Sequence, residues 1–106
     1  MKLARWGLLA LVAMALPAHA EGDKAAGRIK ANTCMGCHGI PKYNNVYPTY
    51  RVPEIGGQSE AYVAAALKAY KNGDRPHLTM RAQAASLSDQ DIADIAAFFA
   101  HAPSHK

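Results

Sequence analysis

The sequence is poor in cysteine and tryptophan and carries little excess charge. Its 106 residues include two cysteines and one tryptophan, and 12 Lys and Arg stand against 8 Asp and Glu. Two cysteines cannot complete a four-cysteine zinc site. The stretches beside them contain no strand-forming run, which disfavours the βαβ unit of a thiol–disulfide oxidoreductase. The formal net charge of +4 is too small to indicate a nucleic-acid partner.

Residues 1–20 have the pattern of a secretory signal peptide. Lys2 and Arg5 precede a short apolar run at 8–16, and Ala18-His19-Ala20 forms a small-x-small cleavage site. The run is shorter than the roughly 20 apolar residues that a membrane-spanning helix needs, although an uncleaved anchor is the alternative. We therefore expect export to the periplasm and a mature chain without a membrane span. Cleavage would reduce the net charge from +4 to +2.

The segment CMGCH contains Cys34, Cys37 and His38 in the spacing CxxCH, the attachment motif of a c-type haem. Two thiols on one helical turn can each add to a haem vinyl group, and the adjacent imidazole then lies beneath the iron as an axial ligand. We expect one covalent haem c, bound through both cysteines. Residues 21–106 form one small domain, so the haem should also complete its limited core.

Two other uses of the motif are less consistent with the sequence. A zinc site would have to recruit further ligands from His77, His101 and His105, whose spacing is irregular. A thiol redox site would require the surrounding βαβ pattern, which is missing. Haem attachment is the interpretation that needs no additional residue.

The first helix is predicted from Asp23, a good N-cap, to about Asn32. Its predicted shared face consists of Ala26, Ile29 and Thr33. Prolines, paired asparagines and paired glycines between His38 and Gln58 favour an irregular loop that wraps the haem. No repeat or linker divides the chain after the signal peptide.

Two further helices have clear start and stop signals. The second is predicted from the N-cap Ser59 to Gly73, a left-handed C-cap. The third begins with a capping box of Ser88 and Asp91 and ends near Ala100. Their predicted apolar faces are Tyr62, Val63, Ala66, Leu67 and Tyr70 in the second helix and Ile92, Ile95, Ala96 and Phe99 in the third.

Met80 is the predicted second axial ligand. After loss of the signal peptide only Met35 and Met80 remain, and Met35 is held inside the attachment motif. Met80 lies in a polar, turn-rich segment with no apolar period, so an ordinary core role is less consistent with its surroundings. His77 is the main competitor, because imidazole is also a good haem ligand.

The segment between the motif and the second helix supplies the remaining candidates for haem contacts. Pro53 could offer its loop backbone to the second nitrogen of His38, although a proline that only stiffens the loop is the alternative. The candidate hydrogen-bond donors to the haem propionates are Tyr43, Tyr47, Tyr50 and Arg51. At least one of these tyrosines is expected to be a core residue instead.

These features together resemble the class I c-type cytochromes, in particular their short bacterial periplasmic domains. The resemblance rests on a helix leading into CMGCHG, the segment VPEIGGQ, one downstream methionine and the terminal helix LSDQDIADIAAFFA. It implies an all-α fold in which the first and last helices cross near Gly27 and Phe98 or Phe99. It also implies His38 and Met80 as iron ligands and one exposed haem edge. The stretch YNNVYPTYRVP is longer than the minimal loop of the family.

The expected function is electron transfer, not enzymatic catalysis. A His/Met-ligated haem would pass single electrons between periplasmic redox proteins, with the protein acting as a monomer. Two alternatives are an electron-donating subunit of a larger system and a peroxidase-like haem enzyme, which would need an open position at the iron. Docking could involve Lys42, Lys68 and Lys71.

Overall fold

A computed structural model describes residues 21–103, so the predicted signal peptide lies outside the described residues. These residues form five helices and one short two-stranded hairpin. In chain order the elements are α1 (Lys24–Lys30), α2 (Asn32–His38), β1 (Asn44–Asn45), β2 (Tyr50–Arg51), α3 (Glu60–Asn72), α4 (Leu78–Ala84) and α5 (Asp89–His101). Across the described range, no helix combines the length and apolar character that a membrane crossing requires.

The first and last helices cross in direct contact, as the family resemblance implies. Helix α5 packs against both α1 and α3, and α4 packs against α3. At the crossing of α1 and α5, a side chain on Gly27 would collide with the carbonyl oxygen of Asp94 and lie 2.9 Å from the Cβ of Phe98. The absence of a side chain at Gly27 is therefore what allows the two helices to approach so closely.

The core is centred on α5, with α3 and the end of α1 around it. Its buried members are Ala31, Val63, Leu67, Ile92, Ile95, Ala96 and Phe99. The predicted face of the first helix was wrong at two of its three residues, because Ile29 is 78% exposed and Thr33, which lies in α2, is exposed as well. The face that meets α5 is formed by Gly27 and Ala31, which are four residues apart and therefore lie on the same side of the helix. Ile29 is two positions from each of them in the sequence, so its side chain lies on the opposite side of the helix.

The capping signals of the two long helices are confirmed. The Ser59 side chain accepts a hydrogen bond from the Tyr62 N–H, and Gly73 ends α3 with a left-handed φ of 84°. The Ser88 side chain accepts from the Asp91 N–H, and the Asp91 carboxylate accepts in return from the Ser88 N–H. Each helix therefore begins where its own sequence supplies partners for free N–H groups.

Two elements differ from the sequence prediction. The segment with Met80 was expected to be a loop, but it forms α4, which begins after His77 and includes the buried Ala84. The loop after the attachment motif contains the β1–β2 hairpin, in which Asn44 pairs with Arg51 and Asn45 with Tyr50. Both elements are short, and neither has the periodicity that identifies longer helices and strands.

A buried carboxylate fixes the start of α1 to α5. Asp94 is 2% exposed. Its oxygens accept hydrogen bonds from the Asp23 N–H at 2.8 Å, the Lys30 ammonium at 2.6 Å and the Gln90 amide at 2.8 Å. The Asp23 N–H, followed by the Lys30 ammonium, lowers the pKa of Asp94 from 3.8 to about 2. The carboxylate is therefore held in its charged form.

We expect this network to make stability depend on pH in the acid range. A folded-state pKa below the ordinary value means that the stabilisation is complete above 3.8 and is lost as pH falls through about 2. Asp94→Asn should lower the free energy of unfolding by about 2 kcal/mol at neutral pH, the typical value for a hydrogen bond to a charged group. Denaturant titrations at several pH values should show this difference vanish in acid. A comparable loss in Asp89→Asn, an exposed carboxylate of the same helix, would contradict the assignment.

Candidate haem site

Helix α2 brings the two cysteines to one face. Cys34 and Cys37 are three positions apart on this helix, both thiols are free, and both residues are half-buried. Cys34 packs against the hydrophobic core. Burial raises the pKa of the Cys34 thiol. Reactive thiols of disulfide exchange have a lowered pKa, so the environment of Cys34 is not that of a thiol redox site.

His38 lies at the C-terminal end of α2 in a defined orientation. Its Nδ1 is 2.6 Å from the carbonyl oxygen of Pro53, and a carbonyl can only accept, so Nδ1–H is the donor. This bond leaves Nε2 with a free lone pair, which is the usual arrangement of an imidazole that binds a metal. The structure therefore places Pro53 where the sequence analysis expected a backbone partner for His38.

The paired glycines of VPEIGGQ fix the Pro53 loop to the end of α5. A side chain on Gly56 would collide with the carbonyl oxygen of Pro103. Gly57 adopts a left-handed φ of 80°, and its N–H donates to the carbonyl oxygen of Phe99 at 2.8 Å. The sequence predicted only that these glycines lie in an irregular loop, and their contact with α5 was not predicted. They hold in place the carbonyl that orients His38.

Met80 lies in the first turn of α4 and is half-buried. Its side chain packs against the core cluster, so it does have apolar neighbours, contrary to the expectation from its polar sequence surroundings. The helix is anchored at its other end by the buried Ala84. Cys34 contacts the same core cluster. The thioether and one attachment thiol therefore both border the apolar interior.

His77, the competing ligand, is the N-cap of α4. Its Nδ1 accepts a hydrogen bond from the Met80 N–H at 3.3 Å. Its half-buried ring makes edge contacts with Tyr50, at a centroid distance of 4.7 Å, and with Tyr70, at 6.3 Å. Sequence reasoning missed this cap, because histidine is not among the residues preferred at helix N-termini.

The predicted propionate donors occupy different environments. Tyr50 is half-buried against His77, whereas Arg51 is exposed on β2. Tyr47 is 92% exposed in the turn that connects the two strands. Tyr50 and Arg51 are consecutive on β2, so their side chains point to opposite faces, and Tyr47 lies at the tip of the hairpin. Contact of each with a propionate stays a prediction.

A cavity lies beside the attachment helix. It has a volume of about 980 Å³, and its walls include His38, Met35, Ile29 and Phe98. Met80 is not part of its wall, so this groove borders the predicted site from one side and does not connect the two predicted iron ligands. Within residues 21–103, no three His, Cys, Asp or Glu side chains are grouped to hold a metal ion, so these residues form no zinc site of the alternative kind.

The donor set fits a covalent haem. It comprises two half-buried thiols on one helical face, an imidazole with its second nitrogen fixed, and a thioether at the core. These are the groups that bind haem vinyls and haem iron in c-type sites.

Comparisons with known proteins agree with this chemistry. The sequence profile described as Cytochrome c matches residues 24–103. The chain is 46% identical over 83 residues to cytochrome c4 of Pseudomonas aeruginosa. This match covers 78% of the chain and 40% of that relative. The chain is also 43% identical over 81 residues to cytochrome c-554(548) of Halomonas halodenitrificans. That match covers 74% of the chain and 94% of the relative.

More distant similarities point the same way. The cytochrome subunit of sulfide dehydrogenase from Chlorobaculum tepidum is 32% identical over 85 residues, which is 80% of the chain and 74% of that relative. The crystal structure of reduced recombinant cytochrome c4 from Pseudomonas stutzeri superimposes with a TM-score of 0.59 at 24% identity, over 79% of this chain and 52% of that one. The chain spans about two fifths of the length of the cytochrome c4 relative from Pseudomonas aeruginosa. The match of the profile to most of the chain, the all-α fold and the CxxCH helix together show that this protein belongs to the cytochrome c family, with a covalent haem c as its cofactor.

Proposed function

We propose that this protein is a periplasmic one-electron carrier with a His/Met-ligated haem c. The observation that carries the proposal is the orientation of His38, whose Nδ1 faces the Pro53 carbonyl at 2.6 Å and whose Nε2 is left to bind iron. When bound, the haem supplies the one-electron redox chemistry. The signal-peptide pattern of residues 1–20 supports the periplasmic location.

The protein's own residues hold and orient the cofactor. Cys34 and Cys37 would anchor it through two thioether bonds from one face of α2. His38 would be the proximal ligand. Met80 would be the distal ligand, and its sulfur would favour the ferrous state and raise the reduction potential. Tyr50 and Arg51 of β2 and Tyr47 at the tip of the hairpin are the proposed partners of the propionates.

The geometry favours a carrier over a peroxidase-like enzyme. Such an enzyme needs an open iron position and an acid–base group beside it. The imidazole next to Met80 is that of His77, and its Nδ1 is already engaged with the Met80 N–H. With both axial positions filled, only an electron would pass between the site and a partner.

A second candidate is an electron-donating subunit of a larger system. One relative is itself a cytochrome subunit of sulfide dehydrogenase, and the cytochrome c4 relative is more than twice as long as the matched region. A subunit and a free carrier share the same haem site. Stable co-purification with a redox enzyme would favour the subunit.

The predicted lysine patch is not uniformly available for docking. Lys42 and Lys68 are exposed, but the Lys71 ammonium donates a hydrogen bond to the carbonyl oxygen of Leu87. We therefore propose that Lys42 and Lys68 contribute more than Lys71 to the encounter with acidic redox partners.

The haem content of the exported protein tests this function directly. We expect a denaturing mass spectrum to show one haem attached to a chain that begins at Glu21. Redox titration should be reversible with a single electron, and the reduced protein should not bind carbon monoxide. Haem that is extracted by acidified acetone would refute covalent attachment. Ready binding of carbon monoxide would favour the enzyme instead.

A further inference from the structure

We propose that His77 positions Met80 for the iron by capping α4, and that it is not itself a ligand. The inference rests on the proposed function, in which Met80 is the distal ligand. It assigns His77 a role as a positioning residue that acts through the backbone of its neighbour.

The imidazole of His77 has both nitrogens occupied. Nδ1 accepts the Met80 N–H at 3.3 Å, so in the neutral ring the proton resides on Nε2. Neither nitrogen then has a free lone pair for iron. The backbone carbonyl of His77 also accepts the Arg81 N–H at 2.8 Å. His77 therefore defines the first turn of the helix through both its side chain and its backbone.

The ring of His77 also connects three elements of the fold. Its edge contacts with Tyr50 and Tyr70 join the start of α4 to β2 and to α3. Helix α4 has only seven residues and no acidic residue in its first turn. So short a helix depends on caps and tertiary contacts, because its own propensity is marginal. Loss of the His77 ring should loosen the turn that contains Met80 more than the rest of the fold.

The test compares His77→Ala and His77→Asn in the haem-loaded protein. His77→Ala should raise the affinity of the reduced protein for carbon monoxide roughly fivefold, the size expected when an N-cap is lost and the ligand turn opens more often. It should also weaken the charge-transfer band of the ferric iron–thioether bond. His77→Asn should restore most of both signals, because its side-chain oxygen can accept the same N–H.

Two further variants separate positioning from general destabilisation. Ser59→Ala removes the N-cap of α3, whose hydrogen bond has the same length of 3.3 Å. It should lower global stability to a similar extent without changing carbon monoxide affinity. In a Met80→Ala background, adding His77→Ala should have no further effect on that affinity.

The outcomes distinguish the inference from the proposed function. If Met80→Ala alters the spectrum but His77→Ala behaves like Ser59→Ala, the positioning role is wrong and the ligand assignment stands. If Met80→Ala keeps the spectrum and potential of the wild type while His77→Ala loses both, His77 is the ligand and both proposals fail. If His77→Asn is no better than His77→Ala, the cap is not the mechanism.

Discussion

Replacing Met80 by alanine should convert a closed haem site into one that binds carbon monoxide. The change removes the proposed distal sulfur and leaves Cys34, Cys37 and His38 in place. Because a thioether favours the ferrous state, its loss should lower the reduction potential by on the order of 0.1–0.2 V, a fraction of the roughly 0.8 V over which axial ligands tune haem. Redox titration and carbon monoxide binding to the reduced protein measure the two effects.

Met35→Ala is the matched control for this experiment. Met35 is the other methionine among residues 21–103, it is 38% exposed, and its side chain lies close to Gly39. Its loss should leave the potential and the carbon monoxide affinity unchanged. A Met80→Ala protein with the spectrum and potential of the wild type would show that the distal ligand is another residue.

Substitution of Gly27 by alanine should destabilise the protein far more than the same substitution at Gly36, the other glycine within the described helices. In an isolated helix this change is favourable by about 0.5–1 kcal/mol. Here the new Cβ would meet the backbone carbonyl of Asp94, which is fixed within α5 and cannot rotate away. Overpacking of this kind costs about 3 kcal/mol, a large part of a typical stability of about 5–15 kcal/mol.

Gly36→Ala provides the comparison. Gly36 is also helical, but no other group lies within 4 Å of the position of an added Cβ. Chemical denaturation of the two haem-loaded variants should therefore give opposite results, with Gly36→Ala at least as stable as the wild type. Equal stability of the two variants would mean that α1 and α5 can separate without cost.

Local signals in the sequence predicted the long helices because each signal is completed within a few residues. The capping box of Ser88 and Asp91, the Ser59 cap and the left-handed Gly73 all satisfy groups on their own helix. The helical turn that carries Cys34 and Cys37 was likewise predicted from the chemistry of CxxCH, although the full extent of α2 was not. These features need no information about distant parts of the chain.

The rest of the site depends on contacts that the sequence order conceals. Helix α4 is stabilised by the ring of His77, whose neighbours Tyr50 and Tyr70 come from two other elements. The exposure of Ile29 follows from which side of α1 meets α5, and that choice is made by Gly27. The role of Gly56 becomes visible only when Pro103 is beside it.

The crossing of α1 and α5 also constrains the order of folding. The hydrogen bond from Asp23 to Asp94 joins residues that are 71 positions apart, so α1 cannot pack against α5 until the last helix has been made. Closing so long a loop is slow compared with forming a local helix. The attachment motif follows α1 directly, so it can be accessible in a chain in which α1 and α5 have not yet joined. Covalent modification of Cys34 and Cys37 can thus precede the step that closes the fold around them.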